Sequence, residues 1–156
     1  VRDATAAFHD LATAKAAGYS FELPDTSGKT CIANLDDPAA GAMGVHMVNL
    51  GLLDNPTTAA PLDDTTLDPT RPEALVYERR SDGTLKLVAV EYVVFQAAWA
   101  AEHGAGSKPS LFGRPFDGPM LGHNPQMPIH YDLHVWLVER NPSGVFSMWN
   151  PAVTCP

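Results

Sequence analysis

Apolar and polar residues alternate most regularly in three stretches, and each predicts a β-strand. These are Ala74–Glu78 (ALVYE), Leu85–Val94 (LKLVAVEYVV) and Ile129–Glu139 (IHYDLHVWLVE). The first two flank Arg79–Thr84, whose Ser81-Asp82-Gly83 is a turn signal, so they read as a hairpin. In the third, a period of two puts His130, Asp132, His134 and Trp136 on one face and Ile129, Tyr131, Leu133, Val135 and Leu137 on the other. Along Leu85–Val94 the same rule groups Leu85, Leu87, Ala89, Glu91 and Val93. Residues 44–49 (GVHMVN) form a shorter β-type run, and Val145–Trp149 follows the Asn141–Gly144 turn as a last strand heading for Cys155.

Helical spacing is confined to two places. Residues 3–17 predict a helix with Asp3 as N-cap, Phe8, Leu11 and Ala12 on one face, and Gly18 as its stop. Gln96–His103 is long enough for two turns before Gly104. Residues 24–42, 53–72 and 104–128 are rich in Pro, Gly, Asp and Asn and read as loops. The pattern therefore predicts a single α+β domain over residues 1–156, with a helix at 3–17 and a β-rich body over 44–155. Its β part is predominantly antiparallel, a small barrel or curled sheet with long Pro/Gly-rich loops.

Composition narrows the function classes. Ten Lys and Arg stand against 18 Asp and Glu, a net charge of −8. Such a surface is a poor partner for a polyanion, so nucleic acid is not expected. No run approaches the ~20 apolar residues of a membrane-spanning helix. The two cysteines, Cys31 and Cys155, lie far apart, outside any CxxC motif and outside basic surroundings, which argues against a reactive thiol. They predict a disulfide and an oxidising compartment.

The candidate chemistry lies in histidines and one carboxylate. Glu91 falls among apolar strand residues, where a carboxylate must be paired, protonated or bound to metal. Arg71, Arg79 or Arg114 would be its partner in a plain ion pair. His46 sits in a Gly-flanked run, and Met120, His123 and Met127 lie close in sequence to His130. His130 and His134 share a strand face but stand ~13 Å apart on a straight strand, too far for one ion, so one of them is the firmer ligand. His46, Glu91, His130 and His134 are the candidate ligands of one Cu, Zn, Fe or Mn ion. Nearby methionines raise copper slightly. Glu91 and Tyr131 are the candidate catalytic groups, and Met43, Tyr92, His123 and Trp136 the candidate pocket residues. No nucleophile elbow, phosphate loop or HExxH motif is present.

The segments GAMGVHMVN, LDPTRPEALVYE, LVAVEYVV, LFGRPF and HYDLHVWLVERNPSGVFSMWNP, with the terminal Cys155, resemble a group of small exported bacterial proteins without an assigned activity. The resemblance implies an extracellular or periplasmic setting and a mature chain, and it implies no mechanism. The leading expectation is a metal-dependent enzyme, an oxidoreductase or lyase, acting on a small organic molecule. The alternatives are a non-catalytic copper carrier, a barrel for a small ligand, or a metal-free Glu/His acid–base enzyme.

Overall fold

The structure is a computed structural model and describes residues 1–156. Its nine strands are β1 (Phe21–Glu22), β2 (Cys31–Ala33), β3 (Ala42–Val48), β4 (Ala74–Arg79), β5 (Leu85–Phe95), β6 (Ser110–Leu111), β7 (Arg114–Pro115), β8 (Asp117–Met120) and β9 (His130–Val135). Seven of them form one antiparallel sheet in the order β1-β3-β4-β5-β9-β8, with β2 also pairing β3. β6 and β7 make a separate two-stranded ribbon.

The β4–β5 hairpin follows the turn chemistry. Gly83 takes a positive φ of 83°, Arg80 N–H bonds the Thr84 carbonyl at 2.9 Å, and Asp82 accepts from Thr84. Three expectations need correction. The sheet is open, with β8 at one edge and β1 and β2 at the other, which rules out the barrel of the two expected forms. The helix expected over 3–17 is broken into α1 (Arg2–Thr5), a 3-10 turn (Ala6–His9) and α2 (Leu11–Ala16). Asp10, not Asp3, is the capping residue: its carboxylate accepts from Thr13 N–H at 2.9 Å, and its own backbone is extended. A side chain that offers the backbone this bond interrupts a continuous helix.

The third correction is the last strand. Residues 145–149 form turns and bends in place of a strand: Phe146 packs against one layer, Met148 and Trp149 against the other, and the Ala42–Asn150 bridge follows them. Their carbonyls are taken by other partners: Trp136 Nε1 donates to Ser147 O, Asn141 Nδ2 to Trp149 O, and Trp136 N–H to Val145 O. The helix expected at Gln96–His103 is present as α3.

The sheet divides two apolar layers. One face carries Val45, Met47, Leu75, Tyr77, Val90, Tyr92, Val94, Tyr131, Leu133 and Val135, covered by Ala14, Tyr19, Trp99 and Phe116. Tyr77 OH ties this layer to the Phe8 carbonyl at 2.7 Å. The other face carries Val48, Ala74, Val76, Val93 and Phe95 and is covered by loop residues and the chain's end. The polar cluster described below lies on this second face. The Cys31–Cys155 disulfide forms, with Cα atoms 5.6 Å apart, and fixes the C-terminal segment to β2. No helix is long and apolar enough to cross a membrane.

Candidate metal centre

Antiparallel register decides which side chains meet. Val48, Ala74, Glu91 and His134 lie in one transverse row across β3, β4, β5 and β9, and His46 lies in the next row opposite Val76. Three inter-strand spacings of ~4.8 Å separate β3 from β9 on a flat sheet. Two irregularities give the sheet its curl. β5 carries one extra residue, since Val76 pairs Ala89 while Tyr77 pairs Leu87. β2 and β3 shift register between Ile32 and Ala33. Bulges of this kind bend and twist a strand, and small Ala74 sits between the two sides, leaving His46 and Glu91 room to meet over it.

The result is a triad drawn from three strands. His46 Nε2 lies 3.3 Å from His134 Nε2 and 3.6 Å from Glu91 Oε2, and His134 Nε2 lies 3.6 Å from Glu91 Oε1. The ligand atoms all fall within 4.8 Å of one another, and all three residues are buried. An ion holding ligands at ~2.0–2.1 Å spaces them ~3.3–3.6 Å apart, so the triad has the dimensions of a coordination sphere. The outer nitrogens, His46 Nδ1 and His134 Nδ1, have no hydrogen-bond partner.

Electrostatics agree with that reading. Burial pushes Glu91 well above the usual carboxylate range, and the neighbouring charge of Asp132 adds to it. Burial lowers His46 well below its ordinary value, helped by His134 and His123. It lowers His134 to about 3, with His123 and His130 adding to the effect. The imidazoles are therefore neutral, the form that ligates, and a cation would relieve the carboxylates.

Around the triad the same face continues. His130 and Asp132 are fully buried, with His130 Nε2 3.8 Å from Asp132 Oδ2. Burial holds His130 low, at about 4, and raises Asp132 above the usual carboxylate range. His123 reaches in from a loop, its ring centroid 6.1 Å from that of His46 and 6.5 Å from that of His130. Trp136 stacks on His134 at 6.4 Å. A cavity of about 190 Å³ opens beside the triad, with Glu91 in its wall among Phe21, Leu23, Val48, Leu53, Val93 and Phe95.

Each candidate from the sequence has a place. His46, Glu91 and His134 meet, and His130 stands apart from that triad on its strand, as the straight-strand distance requires. Met43 packs in the apolar cluster on this face. Tyr92 and Tyr131 do not belong to the site. Each neighbours a site residue along its strand, so alternation sends it to the opposite layer, where their hydroxyls donate to the Pro69 and Ser107 carbonyls. The grouping of Leu85 and Leu87 with Glu91 also fails, because the extra residue in β5 turns both leucines to the Tyr92 side. Glu91 meets no arginine; Arg79 pairs with Glu22 at 2.8 Å. Of the methionines, Met47 lies in the opposite layer, while Met43 and Met127 pack on the site face and Met127 shares the cavity wall with Glu91.

Glu73 is a buried carboxylate that the sequence did not single out. It accepts from Val93 N–H at 3.0 Å and is raised to about 8 by burial. β4 begins at Ala74 opposite Glu91, so Val93 lies past its end and takes the Glu73 carboxylate in place of a ladder partner. In the sequence Glu73 precedes the alternating run, where nothing distinguishes it from a solvated strand end. Comparison with known proteins adds no further constraint: no family model, no curated protein and no solved structure matches this chain.

Proposed function

We propose that this chain binds a transition-metal ion through His46, Glu91 and His134 and uses it to act on a small, largely apolar organic molecule. The observation that carries this reading is the triad itself: three buried ligand atoms from separate strands, spaced as around one ion. Two histidines and a carboxylate suit Zn, Fe, Mn or Cu and leave coordination positions that the protein does not fill, the pattern of catalytic rather than structural sites. A bound ion would supply Lewis acidity or an activated water.

The residues around it would do the rest. His46 and His134 would hold the ion through their Nε2 atoms, 3.3 Å apart, and Trp136 stacks on His134. The cavity adjoining Glu91 has about 190 Å³, and its lining is mostly apolar. A pocket of ~150 Å³ accepts a benzene-sized molecule, so a substrate near one ring in size fits. The disulfide supports an extracellular or periplasmic setting.

The experiment is metal analysis followed by a probe of open coordination. Protein purified without added metal, then loaded with Co²⁺, should retain the ion after desalting. Glu91→Gln should weaken retention at least about tenfold while leaving the fold intact. Azide added to the Co²⁺ form should change its visible spectrum, because an open position accepts an exogenous ligand. A Co²⁺ spectrum indifferent to azide would replace the enzyme with a carrier. Failure of the native chain to retain any ion would remove the metal reading altogether.

A further inference from the structure

The triad leaves a second set of buried polar atoms unexplained. Asp132 is fully buried, and neither of its carboxylate oxygens has a hydrogen-bond partner. His130 Nε2, 3.8 Å from Asp132 Oδ2, has none either, and nor does His123 Nε2. At 3.8 Å the His130–Asp132 pair is beyond hydrogen-bond range yet within the ~4 Å span of two ligands on one ion. An ionised carboxylate buried without a donor or a cation costs several kcal/mol, so this one is compensated either by a proton held with its neighbour Glu91 or by a cation. No lysine or arginine supplies it: Lys86 pairs with Glu139, and Arg79 with Glu22.

We infer that His130 and Asp132 hold a second divalent cation beside the first, making the site a two-ion centre. Asp132 pairs across β5–β9 with Val93, two residues from Glu91 on the same face, so the two carboxylates are neighbours. The His123 ring neighbours both His46 and His130, with centroids 6.1 and 6.5 Å away, and its buried Nε2 has no partner. This inference rests on the first ion position and extends it. Two ions on adjacent carboxylates form a clamp that stabilises an attacking and a leaving oxygen together, which narrows the substrate to an ester, amide or phosphoester carried on a small apolar group.

The test is stoichiometry with Zn²⁺ and Mn²⁺, counted by elemental mass spectrometry after loading and desalting. The native chain should hold two equivalents. Asp132→Asn and His130→Ala should each hold one, with circular dichroism unchanged. The Mn²⁺-loaded native protein should give the electron paramagnetic resonance of an exchange-coupled pair, a readout independent of any variant. One equivalent in the native chain, retained by Asp132→Asn, would overturn the second position while leaving the first in place. An uncoupled Mn²⁺ spectrum at full loading would overturn it as well. No retained ion would defeat both positions.

Discussion

Glu91 and Glu73 show how differently two buried carboxylates announce themselves. Glu91 interrupts a run of valines, so a sequence reader must ask what compensates it. Glu73 opens a strand after Pro72 and looks solvated, although it is 3% exposed. Its role follows only from register, since Val93 needs an acceptor beyond the end of β4. The acid sites of the other side chains were legible because β9 alternates strictly, which places His130, Asp132 and His134 together without any structure. Glu73 also gives a pH prediction. Its folded value is raised from 4.5 to about 8, so the native chain holds a proton that the unfolded chain releases. That contribution favours the native state at acid pH and is lost as pH rises from 4.5 towards 8. Glu73→Gln cannot titrate, and its amide oxygen still accepts from Val93. In metal-free protein the variant should match the native chain near pH 4.5 and exceed it by about 2–4 kcal/mol at pH 8, read from urea unfolding at both pH values. Parallel curves would mean that the carboxylate is solvated.

At the level of elements, strands long enough to show alternation were legible and the others were not. β4, β5 and β9 have six residues or more, whereas β1 and β2 have two or three. β8 contains Pro119 and sits at the sheet edge, where a missing N–H is tolerated but the sequence reads as loop. The bulge in β5 is invisible for a different reason. Val88 and Ala89 are both apolar, so nothing in their order marks the residue at which the faces exchange. The convergence of His46 with Glu91 depended on that curl and could be expected only as a consequence of some curved sheet. Glycine controls the same geometry in β3. Gly44 has φ +109°, and a Cβ there would lie 2.6 Å from the Tyr77 carbonyl oxygen. Gly44→Ala must therefore displace β3 from β4, two residues before His46. We expect a loss of about 3 kcal/mol or more together with weaker metal retention. Gly83 has φ +83° with nothing within 4 Å of a Cβ, so Gly83→Ala should cost about 1 kcal/mol and leave metal content unchanged. Denaturation midpoints and metal analysis on the two variants separate the effects; equal losses would show that backbone strain alone matters at Gly44.

For the molecule as a whole, the disulfide and the site share one segment without depending on each other. Cys31 pairs with Val45, the residue before His46, and its bond to Cys155 closes a separation of 124 residues. The chain's end then lies over the site face, where Asn150 and Ala42 exchange backbone bonds at 3.1 and 3.2 Å and Val153 packs with Ala42, Val76 and Trp136. The ligand strands, however, are held by the interior ladders β3–β4, β4–β5 and β5–β9, none of which includes either cysteine. Removing the cross-link enlarges the unfolded ensemble and should lower stability by about 2–5 kcal/mol. The native sheet, and with it the triad, should persist. Cys31→Ser with Cys155→Ser should thus shift the urea midpoint down and steepen the slope, because the freed unfolded chain exposes more surface, while metal equivalents at 25 °C stay at the native count. A cooperative transition at lower urea with metal retained would place the disulfide in the stability of the fold alone. Loss of metal from a variant that is still folded would instead make the C-terminal segment part of the centre, which it reaches through Val153 packed on Val76 and Trp136, the residues beside His46 and His134.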